Sequence, residues 1–102
     1  MNNMQQLMAR AQKLQAKVDE AQRKLGKEEV TGVAGEGAIR LVITLNGELK
    51  SISIDKSVII ADEKEILEDL ILVAFKDAKA QADARYSQGI KEATNGLHIP
   101  GF

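Results

Sequence analysis

The sequence predicts an α+β chain in α-β-β-β-α order, and three observations carry that reading. Met4, Leu7, Ala11, Leu14, Val18, Ala21 and Leu25 recur at alternating spacings of three and four, the seam of a long helix. Ile39, Leu41, Ile43 and Leu45 alternate with Ala38, Arg40, Val42 and Thr44, and Asn46-Gly47 follows at once. Period-two alternation ending on that dipeptide marks a strand entering a hairpin. Leu67, Leu70, Ile71, Ala74, Phe75, Ala78 and Ala82 then form a stripe of the width a helix lays on a sheet. With 102 residues, 44% of them hydrophobic and 28% charged, the chain is one domain with a modest core. That core is aliphatic, because Phe75, Phe102 and Tyr86 are the only aromatic residues.

The first helix is expected over about residues 3–25, a rod of roughly 35 Å, ending at Gly26 in the left-handed position that follows a helix. A weaker strand at Glu29–Val33 completes a three-stranded meander, with Gly35-Glu36-Gly37 as the turn. A two-residue turn at Asn46-Gly47 sets Leu41 opposite Ile52 and Ile39 opposite Ile54, giving one apolar face. Val42 then points away, toward solvent or a second subunit. Asp62 is expected to cap the second helix while Glu65 reaches back, and Glu63, Glu65, Glu68 and Asp69 suit the positive end of its dipole. That helix is expected to reach about Ser87 and break at Gly89. Residues 93–102, where Gly96, Pro100 and Gly101 oppose helix, read as a flexible tail.

Charge divides the chain. Residues 1–27 hold six basic groups (Arg10, Lys13, Lys17, Arg23, Lys24, Lys27) against Asp19 and Glu20, which leaves +4. Residues 28–102 hold eight against thirteen, which leaves −5. The formal net charge of −1 therefore conceals a dipolar molecule able to attract an anionic partner at one end. With Met4 at heptad position a, Arg10, Lys17 and Lys24 fall at g, and Lys13 and Lys27 at c on the same flank. In a parallel coiled coil, cations at g meet acids at e. Here the e positions are Met8, Gln15 and Gln22. Asp19 with Arg23 and Glu20 with Lys24 are spaced to pair, while Arg10 and Lys13 have no acid at i±3 or i±4. Uncompensated positive charge on a rod is what a phosphate backbone neutralises, with counterion release as the driving term.

Other chemistry finds no footing. The chain has no cysteine, which excludes disulfides, thiolate zinc sites and thiol catalysis. Its only histidine, His98, has no second histidine to share a metal or a catalytic triad. Gly35-Glu36-Gly37 lacks the Lys-Ser/Thr of a phosphate loop and the third glycine of a dinucleotide fingerprint. No enzyme, cofactor, metal or small-molecule substrate is expected. The opening residues are too polar for a secretion signal, and no segment approaches the roughly 18 apolar residues a membrane span requires. Scarce aromatics also disfavour single-strand stacking, which leaves duplex backbone contact.

Taken in order, several segments resemble the YbaB/EbfC family of bacterial nucleoid-associated proteins. They are the helix opening Met4-Gln5-Gln6-Leu7-Met8-Ala9-Arg10-Ala11-Gln12-Lys13, then Val30-Thr31-Gly32 with Ala34-Gly35-Glu36-Gly37, then Asn46-Gly47 and Ser53-Ile54-Asp55. Leu67-Glu68-Asp69-Leu70, Ala74-Phe75-Lys76-Asp77-Ala78 and Gly96-Leu97-His98-Ile99-Pro100-Gly101-Phe102 complete the set. The chain departs from the pattern at Lys56, where relatives often carry Pro, and in a shorter segment after Asn46-Gly47. The resemblance implies a tweezer-like homodimer in the bacterial cytoplasm, associated with the nucleoid and gripping double-stranded DNA. Combined with the charge pattern, it makes Arg10, Lys13 and Lys17 the expected phosphate contacts, with Lys24 and Lys27 secondary and Lys79, Arg85 and Lys91 possible contributors. The rival reading is a coiled-coil protein-interaction scaffold with incidental DNA binding.

Overall fold

The computed structural model describes residues 3–95. Its elements run α1 (Asn3–Leu25), β1 (Glu29–Ala34), β2 (Ile39–Thr44), β3 (Leu49–Ile54) and α2 (Lys64–Ala93), with 3-10 turns at Lys56–Val58 and Ala61–Glu63 leading into α2. The fold class and element order are those the sequence predicts. Of the expected tail, residues 96–102 lie outside the described residues. Its start is ordered: Ala93 closes α2, and Thr94 and Asn95 turn the chain.

The sheet is antiparallel in the order β1-β2-β3. Ile39 faces Ile54 and Leu41 faces Ile52, the register expected. The hairpin that delivers it differs. Gly47 N–H donates to Thr44 O at 2.9 Å, Gly47 sits at φ 90°, and Thr44 N–H donates to Glu48 O at 2.9 Å. That is a three-residue loop with a left-handed glycine rather than a two-residue turn. The shift is undone one pair later, where Ile43 faces Leu49 but Val42 faces Ser51, leaving Lys50 as a bulge. Between β1 and β2, Gly35, Glu36 and Gly37 all have positive φ (61°, 57° and 90°), so the predicted turn is a left-handed one.

One sheet face packs on α2. Ile39, Leu41 and Ile43 are buried, and Ala74, Ala78 and Ala82 meet them from the helix. An alanine row removes the side-chain layer that would hold helix and sheet apart. The approach is closest at Gly32, where an added Cβ would lie 2.5 Å from Ala78 N and 2.6 Å from Ala78 Cβ. At β1, the open edge is covered by α2 side chains. Asp77 Oδ2 accepts Val33 N–H at 2.9 Å, and Gln81 Nε2 donates to Thr31 O at 2.9 Å. Pairing the strand's outward groups in this way blunts an edge that would otherwise recruit another strand.

Three local expectations are corrected. Gly26 is not left-handed; its missing side chain makes room for Asn46, whose Cγ would lie 2.7 Å from an added Cβ. Asp62 does not cap α2, because the 3-10 turn Ala61–Glu63 takes it up and Glu63 occupies the cap position without a side-chain bond. Nor does α2 break at Gly89. The helix continues to Ala93 because α1 packs there, and an added Cβ on Gly89 would lie 2.6 Å from Leu25 Cδ1. Tertiary contact outweighs the roughly 1 kcal/mol that glycine costs a helix interior.

The last turns of α2 and the second half of α1 thus form an antiparallel arm. Val18 and Leu25 are buried in it, Leu14 and Ala21 are half-buried, and Met4, Leu7 and Ala11 are exposed. Only the C-terminal half of the heptad seam is used within the chain. The molecule measures 75 × 18 × 16 Å with a radius of gyration of 19.7 Å. A compact chain of this length would have about 13 Å.

Candidate nucleic-acid interface

Of the basic residues singled out from sequence, Arg10 and Lys13 lie on the projecting half of α1, Lys17 and Lys24 on the half that packs against α2, and Lys27 just beyond the helix. At 100° per residue, Arg10, Lys13 and Lys17 fall within a sector of about 60° and along about 10 Å of helix. All three are exposed, and none has an ion-pair partner among the described residues. Lys24 continues the face, but Glu20 holds it at 3.1 Å and also takes Arg23 at 3.5 Å. The hydrogen bond from Lys24 keeps the Glu20 carboxyl below its ordinary range, with the charges of Lys24 and Arg23 adding to it. Asp19, spaced to meet Arg23, instead accepts Gln15 Nε2 at 2.8 Å. Glu20 therefore ends the uncompensated stripe. Lys27 is exposed in the turn after α1 and is not paired among the described residues.

The structure separates the three later cations. Lys79 is bound to Asp83 at 2.6 Å. Arg85 reaches Glu28 at 2.8 Å and Glu92 at 3.2 Å. Lys91 alone is exposed without an ion pair among the described residues, and it rides on the same arm as the α1 stripe.

A groove of about 600 Å³ runs between α1 and the end of α2, walled by Ala21, Leu25 and Gly89 and edged by charged groups. Lys17, Lys24 and Arg85 on its edge are matched by Glu20, Glu28 and Glu92, so the groove carries no field of one sign. The outer stripe is the better anion surface. Among the described residues no group of His, Cys, Asp and Glu could hold a metal ion, and no helix is long and apolar enough to cross a membrane.

Sequence reasoning missed the links from Arg85 to Glu28 and from Asp77 to β1. Their partners are 57 and 44 residues apart, beyond the reach of any helix-spacing rule. The charged stripe needed only helical periodicity and was legible.

An α+β chain bearing a basic helical arm is the class of molecule this geometry defines. The model of the YbaB/EbfC DNA-binding family matches residues 1–97, and the chain belongs to that family. It is 44% identical over 103 aligned positions to a nucleoid-associated protein of Rickettsia akari, covering 100% of this chain and 96% of the relative. A nucleoid-associated protein of Maricaulis maris is 43% identical, with 98% and 94% covered. Among solved structures, an uncharacterized Helicobacter pylori protein superposes with a TM-score of 0.70 over 84% of this chain and 90% of its own. At 19% identity that likeness speaks for the fold.

Proposed function

We propose that this protein is a homodimer that binds double-stranded DNA through its phosphate backbone. In this reading it organises the bacterial nucleoid from the cytoplasm and modulates transcription. The observation that carries the reading is the run Arg10, Lys13 and Lys17: three exposed cations on one helix face, with no ion-pair partner among the described residues, in a chain of a DNA-binding family. Phosphate contact by such a stripe is sequence-tolerant, because no side chain is committed to base edges. Lys27 and Lys91 add to the field, and Lys24 joins if phosphate displaces Glu20.

The dimer is supported by surface left uncovered. Leu49 and Ile52 on the sheet, Ile59 and Ile60 in the connection that follows it, and Leu72 and Phe75 on the first half of α2 are exposed apolar side chains. Asp77 and Gln81 face β1, so Phe75, on the opposite flank of the alanine row, lies toward β3 and its exposed Ile52. A second copy is the partner whose matching surface would cover this one by two-fold symmetry. It would also convert a thin rod into a body with two arms, each presenting a basic stripe.

The test is Arg10→Glu with Lys13→Glu and Lys17→Glu in one chain. Loss of duplex retention with an unchanged circular dichroism spectrum supports the reading; undiminished affinity in the folded variant removes α1 from the contact surface. A nuclease-resistant, stoichiometric protein partner would favour the scaffold instead.

A further inference from the structure

A charged junction lies at the root of the arm. Arg85 Nε donates to Glu28 Oε1 at 2.8 Å and its Nη2 to Glu28 Oε2 at 3.0 Å, a fork matched to a carboxylate. Its remaining nitrogen, Nη1, donates to Glu92 Oε1 at 3.2 Å, one side-chain length further along α2. Glu28 is the residue between arm and sheet. Its N–H donates to Leu25 O at 3.0 Å, and its own carbonyl accepts Leu45 N–H at 2.9 Å. Apart from the clamp, α1 is held by apolar packing of Leu14, Val18, Ala21 and Leu25, with Leu25 against Gly89, and by Asn46 N–H donating to Gly26 O at 3.4 Å.

Every residue from Asn3 to Lys13 is exposed, so the first half of α1 takes its direction from the packed second half and from the Glu28 junction. Arg10 stands 15 residues from Leu25, about 22 Å up the helix. A tilt of about 10° at the root would carry it about 4 Å, more than the ~3.4 Å axial spacing of successive phosphates on one strand. Small changes at the root are large changes at the stripe.

We propose that Arg85 is a positioning residue of the DNA-binding arm: through Glu28 it fixes the angle at which Arg10, Lys13 and Lys17 are presented, and it does not itself touch phosphate. This rests on the function proposed above and assigns Arg85 a role different from that of a phosphate contact.

Glu28→Gln separates the clamp from plain electrostatics. Removing an anion makes the chain more positive, so charge alone would tighten DNA binding. Loss of the clamp weakens it, about fivefold, the lower end of ordinary coupling between sites. The slope of log affinity against log salt stays unchanged in both Glu28→Gln and Arg85→Gln, because no phosphate contact is lost. Were Arg85 on phosphate, Arg85→Gln would reduce that slope by about one.

A second readout needs no DNA. The chain has no cysteine, so Gln5→Cys and Ser51→Cys can be spin-labelled selectively and diluted with unlabelled chain. The α1-to-sheet distance is narrowly distributed in the parent and broad in Glu28→Gln. Unchanged or tighter DNA binding with a narrow distribution in Glu28→Gln overturns the proposal. If the parent binds no duplex, yet its distance is narrow and that of Glu28→Gln broad, the clamp stands and the DNA-binding reading falls.

Discussion

The Asp77 carboxylate accepts the backbone N–H of Val33 at 2.9 Å, binding the middle of α2 to the outer edge of β1 across 44 residues. Gln81 donates to both this carboxylate, at 3.2 Å, and Thr31 O. Helix and edge strand are thereby stitched by directional bonds where Gly32 already brings their backbones together. Asp77→Ala removes the acceptor and is expected to cost about 1 kcal/mol in urea unfolding. Faster hydrogen exchange at the Val33 amide would locate the loss. Asp77→Asn keeps a carbonyl oxygen in reach and should cost less.

Gly32→Ala is expected to be more damaging. Its Cβ would meet the backbone of α2 rather than the far end of a flexible side chain. Neither strand nor helix can yield without losing the alanine row, so the cost is about 3 kcal/mol, the upper end for overpacking. A shifted urea midpoint with an unchanged slope would check it. Wild-type stability would mean the sheet and α2 are not in backbone contact.

Leu72→Glu with Phe75→Glu tests the dimer. Both side chains are exposed, at 57% and 43%, so neither substitution disturbs the monomer's core. Sedimentation equilibrium should report the monomer mass for this variant and twice that for the parent. DNA affinity should fall as well, since two arms on one body bind with the advantage of linked sites. A variant that stays dimeric places the interface elsewhere.

Stability should fall in acid for a definable reason. The hydrogen bond from Arg85 holds the Glu28 carboxyl below its ordinary value of 4.5, against a smaller opposing effect of desolvation. The unfolded state therefore takes up this proton first, at higher pH than the folded state. The stabilisation is fully present above about pH 4.5 and is lost as pH falls through the depressed folded value. Glu20, bonded to Lys24, and Asp55, which accepts Ser57 N–H at 2.8 Å, act in the same direction. Melting temperature should be level from pH 7 to about 5 and drop below, and Glu28→Gln should flatten part of that drop.

The elements were legible where periodicity decides structure. α1, the β2–β3 register and the basic stripe follow from spacing along one segment. What was not legible depended on contact between segments. Gly89 reads as a helix breaker until Leu25 is placed against it, and Gly26 as a left-handed cap until Asn46 is. Arg85 reads as a cation with only local acids for neighbours until the fold delivers Glu28. The seam from Met4 to Leu25 promised a helix packed along its whole length, and inside one chain only half of it is packed.

Fluorescence anisotropy against a labelled random-sequence duplex, titrated from low to physiological salt, tests backbone binding by the arms most directly. Arg10, Lys13 and Lys17 on each of two arms, all meeting phosphate, predict a log–log slope of about −5. The triple reversal of Arg10, Lys13 and Lys17 should bring binding close to zero at every salt concentration. No binding by the parent at low salt, or the same slope in parent and folded triple variant, would contradict it.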